Sequence, residues 1–514
     1  IHGAGGFGWE PYGNYHGIAL TNNGVIRATN ATSSFSIFAT NATNNNLLES
    51  TGEATLILYG NWDNSAGEII AKDESEVWLG SFPDHPCQLD GGILRTTGSG
   101  EILPKSYSST KNVTLEGTMR IERYTTIHMS DVFTNNGYIN QGVENWAGSA
   151  IVQMDSALTF VGDGLLRMGN TNAFKMYNWP DHNALFTNGA NHTIESLGGR
   201  FGELPNYYGD QRIQMLNEGT IICQAGPSSS EFRLTGDGFI NRGTLEIQPN
   251  QINTARIWGD FHQTAGRIEC DDVFRITDGA FDFTGGVIAG QSGLQGSVSL
   301  ADEAIIQPGD ESEAGTFHIW GPLTLNQGAT LVCEWGHTAQ DLLAVHGLLT
   351  TTGTVHLRVE YLEYNSLRSP NYTVLTCDDR DDQAVWTVEV PAGWTYDSFG
   401  WVGNDLVLQG LPGMATDAPM QPEALALHGA APNPFNPQTQ VSFSLNQEGL
   451  VQLWIADLAG RRVRILVDEI RPAGQHRVMW NGCDQRGRSV SSGTYLCVMN
   501  AGGEKRTSRM TLVR

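Results

Sequence analysis

A short phrase that recurs along the chain constrains the fold more than any other feature. In it, an apolar residue is followed closely by Asn, a variable residue and Gly, and then by a short apolar run. Clear copies lie at 20–26, 133–139, 216–221 and 240–245. Spacings of 27, 25, 30, 24, 23 and 20 residues separate the turn glycines Gly137, Gly164, Gly189, Gly219, Gly243, Gly266 and Gly286. A period in the twenties is typical of one coil of a three-sided parallel β-helix.

The segments between the turn glycines have the alternation of short strands. Three examples that fit as rungs of a solenoid are 55–59, 76–79 and 316–320. We therefore predict an all-β chain in which residues 1–409 form a right-handed parallel β-helix with an N-terminal cap. Loop excursions are expected at 35–50, 140–160 and 167–215. Several separate sandwiches would instead place strands about 8–12 residues apart in Greek-key order, and the repeated phrase favours the solenoid.

Composition agrees with short strands joined by tight turns. The chain has 61 glycines, and only 17% of its residues are charged. Gly and Asn tolerate the positive φ that such turns need, whereas Gly weakens a helix interior. No run of 18 apolar residues occurs, so no membrane-spanning segment is predicted. The chain begins at Ile1, as expected after removal of a signal peptide.

Charge is divided unevenly between the two ends of the chain. The net charge is −25, yet residues 424–514 carry 11 Lys and Arg against 6 Asp and Glu, a net charge of +5. The remaining residues carry −30. An acidic body of this size repels nucleic acid and anionic membranes, so neither is an expected partner.

A proline-containing segment without periodicity marks a boundary after the solenoid. We predict a linker at 410–431 and a separate module at 432–514. Runs of alternating apolar residues separated by glycine turns fill this module, which predicts an Ig-like β-sandwich.

Four motifs occur in order in the module. They are Asn-Pro-Phe-Asn-Pro at 433–437, Gly460-Arg-x-Val463, Trp480-x-Gly482-x-Asp484 and Ser492-Gly-x-Tyr495. Together they resemble the C-terminal sorting domain of type IX secretion cargo, a family related to the Ig-like domain of flagellar hook scaffolds. Two positions depart from the family pattern: Asn481 stands where Asp is usual, and Ala456 stands where an aromatic residue often precedes the turn. Both differences concern packing.

The resemblance implies transport across the outer membrane of a Gram-negative bacterium, through the secretion machinery, and then release or attachment at the cell surface. It implies an address and no activity, because this domain accompanies proteases, glycosidases and adhesins alike. The family domain is often cleaved off, and its presence at the end of this chain favours a structural role for it. Residues 315–408 separately resemble the distal β-helix of autotransporter-type passengers.

Catalytic motifs give little support to an enzyme. Gly3-Ala-Gly-Gly-Phe-Gly8 matches a dinucleotide fingerprint, but no strand precedes it, so we interpret it as a flexible or turn-forming terminus. The enzyme alternative is a β-helical polysaccharide lyase or hydrolase with acid–base carboxylates on neighbouring coils. Its candidates are Asp163, Asp237, Asp271, Asp272 and the run 378–382. Positions in turns, at a corner between rungs or in a solvated loop explain each of them better, so we predict no catalytic, cofactor-binding or metal-binding residues.

A glycan-binding module is the other alternative, and it requires exposed coplanar aromatic rings. The candidate tryptophans for such rings are Trp62, Trp78, Trp146 and Trp179. The N-terminal aromatic residues Phe7, Trp9, Tyr12 and Tyr15 are expected to cap the solenoid. His346 and His356, in rung-like strands, are expected to be structural or outward-facing and not metal ligands. Seven dispersed cysteines indicate buried thiols, although Cys483 and Cys497 lie close enough in sequence to pair.

The leading functional expectation is a secreted structural or adhesive protein, without enzymatic activity, on the outer surface of a Gram-negative bacterium. In its sharper form, the basic module of one copy docks on the acidic body of the next, which gives a head-to-tail filament. Self-association, surface attachment and glycans are thus the expected partners.

Overall fold

The fold is described from a computed structural model of the chain. It describes residues 1–3, 5–7, 17–80, 86–142, 150–169, 173–176, 185–201, 203–206, 209–211, 213–224, 232–249, 255–309, 314–335, 340–361, 371–391, 396–409, 425–445, 449–471, 474–485 and 488–513. All regular secondary structure in these ranges is β-strand. No helix among the described residues is long and apolar enough to cross a membrane.

The strands are short and follow one another closely. The first are β1 (His2–Gly3), β2 (Gly5–Phe7), β3 (Ile18–Asn22), β4 (Val25–Ala28), β5 (Phe35–Asn44), β6 (Leu47–Ser50), β7 (Thr55–Asp63), β8 (Glu68–Lys72), β9 (Glu76–Leu79), β10 (Cys87–Asp90), β11 (Ile93–Thr97), β12 (Glu101–Pro104), β13 (Ser109–Glu116), β14 (Thr118–Ile121), β15 (Thr126–Asn135), β16 (Tyr138–Gln141) and β17 (Ile151–Val161). The middle of the chain forms β18 (Leu165–Met168), β19 (Ala173–Met176), β20 (Leu185–Asn188), β21 (Thr193–Ser196), β22 (Arg200–Phe201), β23 (Glu203–Asn206), β24 (Gly209–Gln211), β25 (Ile213–Asn217), β26 (Thr220–Cys223), β27 (Phe232–Asn241), β28 (Thr244–Ile247), β29 (Ala255–Trp258), β30 (Phe261–Gln263), β31 (Arg267–Cys270), β32 (Val273–Phe283), β33 (Val287–Gly290) and β34 (Gly293–Leu300). The last are β35 (Ile305–Pro308), β36 (Thr316–Trp320), β37 (Leu323–Leu325), β38 (Thr330–Trp335), β39 (Leu342–Thr351), β40 (Thr354–Tyr361), β41 (Asn371–Asp382), β42 (Val385–Glu389), β43 (Ser398–Val402), β44 (Asp405–Gln409), β45 (Ala426–Ala431), β46 (Thr439–Leu445), β47 (Gly449–Ala456), β48 (Arg462–Arg471), β49 (Gly474–Trp480), β50 (Gly493–Ala501) and β51 (Glu504–Leu512).

Parallel pairing between successive coils arranges strands β1–β42, except β23 and β24, into three stacks. Stack one contains β1, β4, β6, β8, β11, β20, β25, β30 and β37, together with the second halves of several long strands. Stack two contains the first halves of β5 and β7, together with β2, β9, β12, β14, β16, β18, β21, β26, β28, β31, β33, β35, β38, β40 and β42. Stack three contains β3, β10, β19, β22, β29 and β36, with the remaining half-strands. The predicted parallel β-solenoid is therefore confirmed.

Alternation within each rung places one side chain inward and the next outward. In β16, for example, Ile139 and Gln141 are buried, whereas Tyr138 and Asn140 are partly exposed. Inward aromatic rings also contact one another in tilted or edge-to-face pairs, with centroids 5.3–5.9 Å apart, along Phe133, Phe160, Phe186, Phe201 and Phe232. One hydrophobic core consequently runs through the solenoid.

The turn glycines form a column in which coils approach closely. A Cβ atom on Gly243 would lie 2.1 Å from the carbonyl oxygen of Gly219, and one on Gly266 would lie 2.1 Å from that of Gly243. The same carbonyl of Gly219 accepts the backbone N–H of Thr244 at 2.8 Å. Because that inter-coil hydrogen bond fixes the approach, only Gly fits at these positions.

The asparagine of the repeated phrase points inward. Asn22 Nδ2 donates to Asn44 Oδ1 at 2.7 Å, and Asn44 Nδ2 donates to Asn64 Oδ1 at 2.7 Å. Asn217 and Asn241 continue an equivalent row farther along, joined at 2.8 Å. Each amide thus satisfies the next one inside the core, which removes the cost of burying it.

The solenoid ends in antiparallel pairing. β44 pairs antiparallel with β41 and with β43. After the segment 410–424, a three-stranded sheet (β45, β46, β49) and a four-stranded sheet (β48, β47, β50, β51) are both antiparallel. Their buried residues, including Phe443, Leu453 and Trp480, form one hydrophobic cluster.

Several local expectations differ from the structure. The segment 35–50 is not an excursion, because it forms rungs β5 and β6. In the N-terminal glycine segment, β1 and β2 form the first rungs of the solenoid. Within 167–215, rungs β18–β22 are followed by an antiparallel hairpin of β23 and β24, after which rung β25 begins. The expected linker 410–431 includes strand β45, which pairs with β46 because its alternate residues pack on the module's core.

Candidate functional site

The carboxylates considered for acid–base catalysis lie on different coils and at different corners. Asp163 is exposed in the turn between β17 and β18, at the corner between stacks one and two. Asp271 and Asp272 occupy the corner between β31 and β32, where stack two meets stack three. Rungs β21, β26 and β28 separate the two corners along stack two. Asp237 lies in β27, but its side chain is outside the described residues.

A carboxylate that the sequence did not single out lies near Asp271. Glu246, in β28, stacks in register on Glu269 of the next coil. Burial, together with the charge of Asp271, raises the pKa of Glu246. In the described ranges, no three His, Cys, Asp or Glu side chains come close enough to hold a metal ion.

The acidic run 378–382 belongs to strand β41 and is not a solvated loop. Asp382, at the end of that strand, accepts hydrogen bonds from the hydroxyl of Thr351 and from the indole N–H groups of Trp401 and, at 3.3 Å, Trp386. Both indole rings pack against the solenoid core. Asp382 therefore fixes an aromatic cap over the C-terminal end of the core.

Of the tryptophans considered for glycan stacking, the two within the described residues, Trp62 and Trp78, do not offer an open ring face. Trp62 is only 2% exposed, and its Nε1 donates to the carbonyl oxygen of Tyr59 at 3.0 Å. The ring of Trp78 is covered by the ammonium of Lys105, 4.1 Å from the ring centroid. Trp146 and Trp179 lie outside the described residues, as do the N-terminal Trp9, Tyr12 and Tyr15. Phe7 packs edge-on against Phe35 at 5.6 Å.

Charged side chains on stack one alternate in sign from coil to coil. The carboxylate of Glu49 is fully buried and contacts the guanidinium of Arg27 and, at 2.7 Å, the ammonium of Lys72. Burial acts to raise the pKa of Glu49, but the hydrogen bonds and charges of Lys72 and Arg27 outweigh it and hold the pKa below its usual value. Each cation belongs to a neighbouring coil, so this group ties three coils together.

The same arrangement recurs farther along the surface. Arg95 reaches Glu68 and Glu116 at 2.5 Å each, on the coils before and after its own. On stack two, Arg120 contacts Glu101 and Glu122 at 2.8 Å. Networks of this kind constrain coil-to-coil geometry more than isolated surface pairs do.

A buried histidine was not identified from the sequence as part of the interior. His192 is fully buried, its Nδ1 lies 2.7 Å from Asn188 Oδ1, and its Nε2 lies 3.1 Å from Asn135 Nδ2. Because an amide oxygen can only accept and an amide nitrogen can only donate, the ring is the neutral Nδ1–H tautomer. Burial lowers the pKa of His192 to about 3. Of the two histidines expected to be structural or outward-facing, His346 is exposed and His356 is partly exposed, with its Nδ1 2.6 Å from Thr387 Oγ1.

Two cations of the C-terminal sheets lie over one indole ring. On β47, Trp454 has the guanidinium of Arg462 at 4.3 Å and the ammonium of Lys505 at 5.9 Å from its ring centroid. Arg462 and Lys505 are exposed, and Ile465 nearby on β48 is 41% exposed. Cations and apolar groups thus share one surface of the four-stranded sheet.

All seven cysteines are free thiols, and six of them are buried. Cys483 and Cys497 are therefore not joined. Burial raises the pKa of the Cys497 thiol to about 12, which keeps it protonated and unreactive near neutral pH.

Comparisons with known proteins give little to set beside this geometry. No family model and no curated relative matches the chain. Among solved structures, it is similar over a short stretch to PorZ of Porphyromonas gingivalis, described as an essential bacterial surface component of the type IX secretion system. The likeness has 16% identity and a TM-score of 0.14, and it covers 22% of this chain but only 14% of PorZ. At that TM-score we base no conclusion on it.

Proposed function

We propose that this protein is a secreted structural and adhesive component of the outer surface of a Gram-negative bacterium. The observation that carries the proposal is the continuity of the three stacks, which the buried asparagine rows and the ion pairs between coils lock together. Such an array suits a stiff stalk, because each coil contacts only its neighbours and length is added coil by coil.

The C-terminal sheets are proposed to form an Ig-like sorting and attachment module. Support comes from the contacts of the motif residues. Trp480 is buried, and its Nε1 donates to the carbonyl oxygen of Cys483 at 2.9 Å. Asp457 accepts the N–H of Arg461 at 2.9 Å in the turn that carries the Gly-Arg-x-Val motif. These motif residues stabilise the turns and the core of the module that we propose the secretion machinery recognises.

Export is tested in the source bacterium by cell fractionation and by protease treatment of intact cells. The full chain is expected at the cell surface or in the medium, and a chain truncated after residue 409 is expected in the periplasm. Equal export of both chains would rule out a sorting role for the module.

Self-association is proposed to join the cationic surface around Trp454 to the acidic solenoid of the next copy. Opposite charges favour this arrangement, because the module carries +5 and the rest of the chain −30. Negative-stain electron microscopy and sedimentation velocity are expected to show filaments at low salt that shorten as ionic strength rises.

The charge-reversal variant Arg462→Glu combined with Lys505→Glu should abolish filaments. Arg488→Gln is the matched control, because Arg488 is held at 2.9 Å by Asp484 in a turn. Monodisperse particles at every salt and protein concentration would overturn the filament.

A further inference from the structure

A continuous row of uncharged side chains lies on the outer face of stack one. It takes one residue from each of five successive coils, paired in register: Val132, Thr159, Thr187, Leu216 and Ile240. Val132 is 42% exposed, and the other four side chains are partly exposed. All five carry methyl groups, and four rung steps make the row about 19 Å long. We call these five residues the stack-one row.

The core of the solenoid fixes the direction of these side chains. Their neighbours within the strands are buried, and alternation along each strand then directs the stack-one row outward. Those buried neighbours are Phe133, Phe160, Phe186, Met215 and Phe239. The methyl groups of the row consequently meet solvent.

Charged side chains occupy the same face before and after the row. On earlier coils, Arg95 contacts carboxylates of the coils on both sides of its own. Beyond the row, the register continues with His262 and Asp282. Between these groups, every position of the row holds an apolar residue or threonine. An exposed apolar strip rimmed by polar groups is typical of an interaction site.

The borders of the row are acidic. The exposed and partly exposed carboxylates there are Asp131, Asp155, Asp163, Glu218 and Asp282, and the described cations are Lys111, 3.2 Å from Asp131, and Arg242, 3.9 Å from Glu218. Carboxylates therefore outnumber cations beside the row, in agreement with the net charge of −30 outside residues 424–514. Such a border attracts a cationic partner.

The four-stranded sheet of the C-terminal module carries an apolar surface of similar length. Trp454 pairs with Ile465, and Leu450 pairs with Ile470 on the same two strands. Ile465, Leu450 and Ile470 are 41%, 56% and 68% exposed. Leu450 and Trp454 are about 13 Å apart along β47, so the two apolar pairs match the scale of the stack-one row.

Cations flank this apolar surface of the module. The guanidinium of Arg462 and the ammonium of Lys505 lie 4.3 and 5.9 Å from the ring centroid of Trp454. Between the two apolar pairs, Gln452 Nε2 donates to Asp468 Oδ1 at 3.0 Å, which gives that carboxylate a partner. The name Trp454 surface is used below for the residues Leu450, Trp454, Arg462, Ile465, Ile470 and Lys505.

We propose that the stack-one row is the acceptor surface for the Trp454 surface of a second copy of this chain. Contact between the two apolar surfaces removes both from water, and Arg462 and Lys505 then face the acidic borders of the row. The inference rests on the proposed self-association and assigns it a place on the solenoid.

A second copy fits the row better than the chain's own module does. The row ends at Ile240, and six further rung steps, about 29 Å, separate it from Asp381 on the last rung of stack one. The chain's own module is tethered beyond that rung, whereas a second copy is free to approach any coil. Because the row is narrow and a standard stable interface buries roughly 800 Å² per partner, we expect assembly to depend on protein concentration.

The test is sedimentation velocity of the full chain at low salt over a series of protein concentrations. Leu216→Lys combined with Ile240→Lys places two ammonium groups opposite Arg462 and Lys505. This variant should raise the concentration needed for assembly at least about tenfold, because like charges then meet in the contact. Adding Arg462→Glu and Lys505→Glu to the same chain should restore assembly, because each contact then pairs ammonium with carboxylate groups.

Val287→Lys combined with Ile305→Lys is the matched control. These two residues are also paired in register and partly exposed, but they lie on stack two. The control should assemble like the parent, and circular dichroism should show every variant folded. Unchanged assembly of the Leu216 and Ile240 variant, or an equal loss in the control, would overturn the row and leave the proposed filament standing. A parent chain that assembles at no concentration would remove the filament itself, and the row with it.

Cross-linking identifies the occupant of the row. Ile240→Cys and Ile465→Cys are placed in separate chains, and Cys483, the one cysteine that is not buried, is replaced by Ser in both. A bis-maleimide should give cross-linked dimers in the mixture and not in either chain alone. A cross-link that forms within a single diluted chain carrying both new cysteines would place the chain's own module on the row and overturn the second copy.

Discussion

Nδ1 of His192 lies 2.7 Å from Oδ1 of Asn188 inside the solenoid core. The ring stacks on Phe160, with centroids 5.0 Å apart, and reaches Asn135 on its other side. In the intervening coil, Gly162 follows Val161 at the point where the asparagine row would continue. The imidazole fills that gap, so a side chain from a turn completes the polar row.

Replacing His192 with Phe should keep the stacking on Phe160 but leave the amides of Asn135 and Asn188 without their partner. A loss of about 2–5 kcal/mol in unfolding free energy is expected, because two buried polar groups become unsatisfied. Denaturant melts, with hydrogen exchange in β18 and β21, measure it. His262→Phe is the control, since the His262 side chain is 45% exposed; an equal loss there would contradict the buried row.

Acid should destabilise the fold through His192 before most carboxylates are protonated. The unfolded imidazole takes up a proton near its ordinary pKa of 6.5, whereas the folded one stays neutral down to about 3. The unfolded chain therefore binds more protons as the pH falls from 6.5 towards 3, and stability drops by up to about 1.4 kcal/mol per pH unit. His192→Gln should remove this part of the pH dependence. If melts of both proteins fall in parallel between pH 6.5 and 4.5, the histidine is not responsible.

Gly243→Ala should destabilise the solenoid by more than about 2 kcal/mol, because its new methyl group would meet the backbone carbonyl of Gly219. Gly24 occupies the same place in the repeated phrase, but an added Cβ there meets nothing within 4 Å. Gly24→Ala is therefore expected to be neutral or slightly stabilising. Thermal melts of both variants decide it, and equal effects would refute the close approach of coils.

Glu49→Gln should cost about 1–3 kcal/mol, because it leaves Arg27 and Lys72 facing an uncharged group in a buried position. The pKa of Glu49 is depressed, so its contribution is present above pH 4.5 and is lost as the pH falls through the folded value. Denaturant melts at pH 7 measure the loss. Glu218→Gln, at a pair 3.9 Å apart and 41% exposed, should change stability by less than about 0.5 kcal/mol.

Asp382→Ala should loosen the aromatic cap, since Trp386 and Trp401 both donate to that carboxylate. Faster amide exchange is expected in β42 and β44 and unchanged exchange in β28, because coils far from the end do not contact the cap. Asp381→Ala, at the exposed neighbouring position, is the control. Exchange that accelerates throughout the solenoid would show that the cap is not a local element.

The repeated phrase predicted the solenoid because glycine columns and inward asparagines recur once per coil. It could not predict the corner that each copy occupies. Asn22 ends a rung of stack three, whereas Asn135 ends a rung of stack one, although the two phrases look alike in sequence. A tight turn is a local feature, and the corner depends on all the strands between copies.

The candidate sites were harder to predict than the fold. Glu246 and Glu269 stand 23 residues apart in sequence, so only the pairing of rungs brings them into register. The buried position of His192 could not be predicted for the same reason, because its partner Asn135 lies 57 residues away in sequence. Charge alone predicts a loop at 378–382. In the structure these residues end strand β41, where Asp382 accepts hydrogen bonds from three side chains.

The hydrogen bonds between coils run along the axis of the solenoid, and the polypeptide itself runs around it. Tension applied to the two ends therefore breaks those hydrogen bonds one coil after another, before the covalent backbone carries the load. Asn22 and Asn44 are 22 residues apart, so a single coil that opens releases about 75 Å of extended chain in exchange for about 4.8 Å of height. A solenoid under tension therefore lengthens coil by coil and dissipates energy as its hydrogen bonds break.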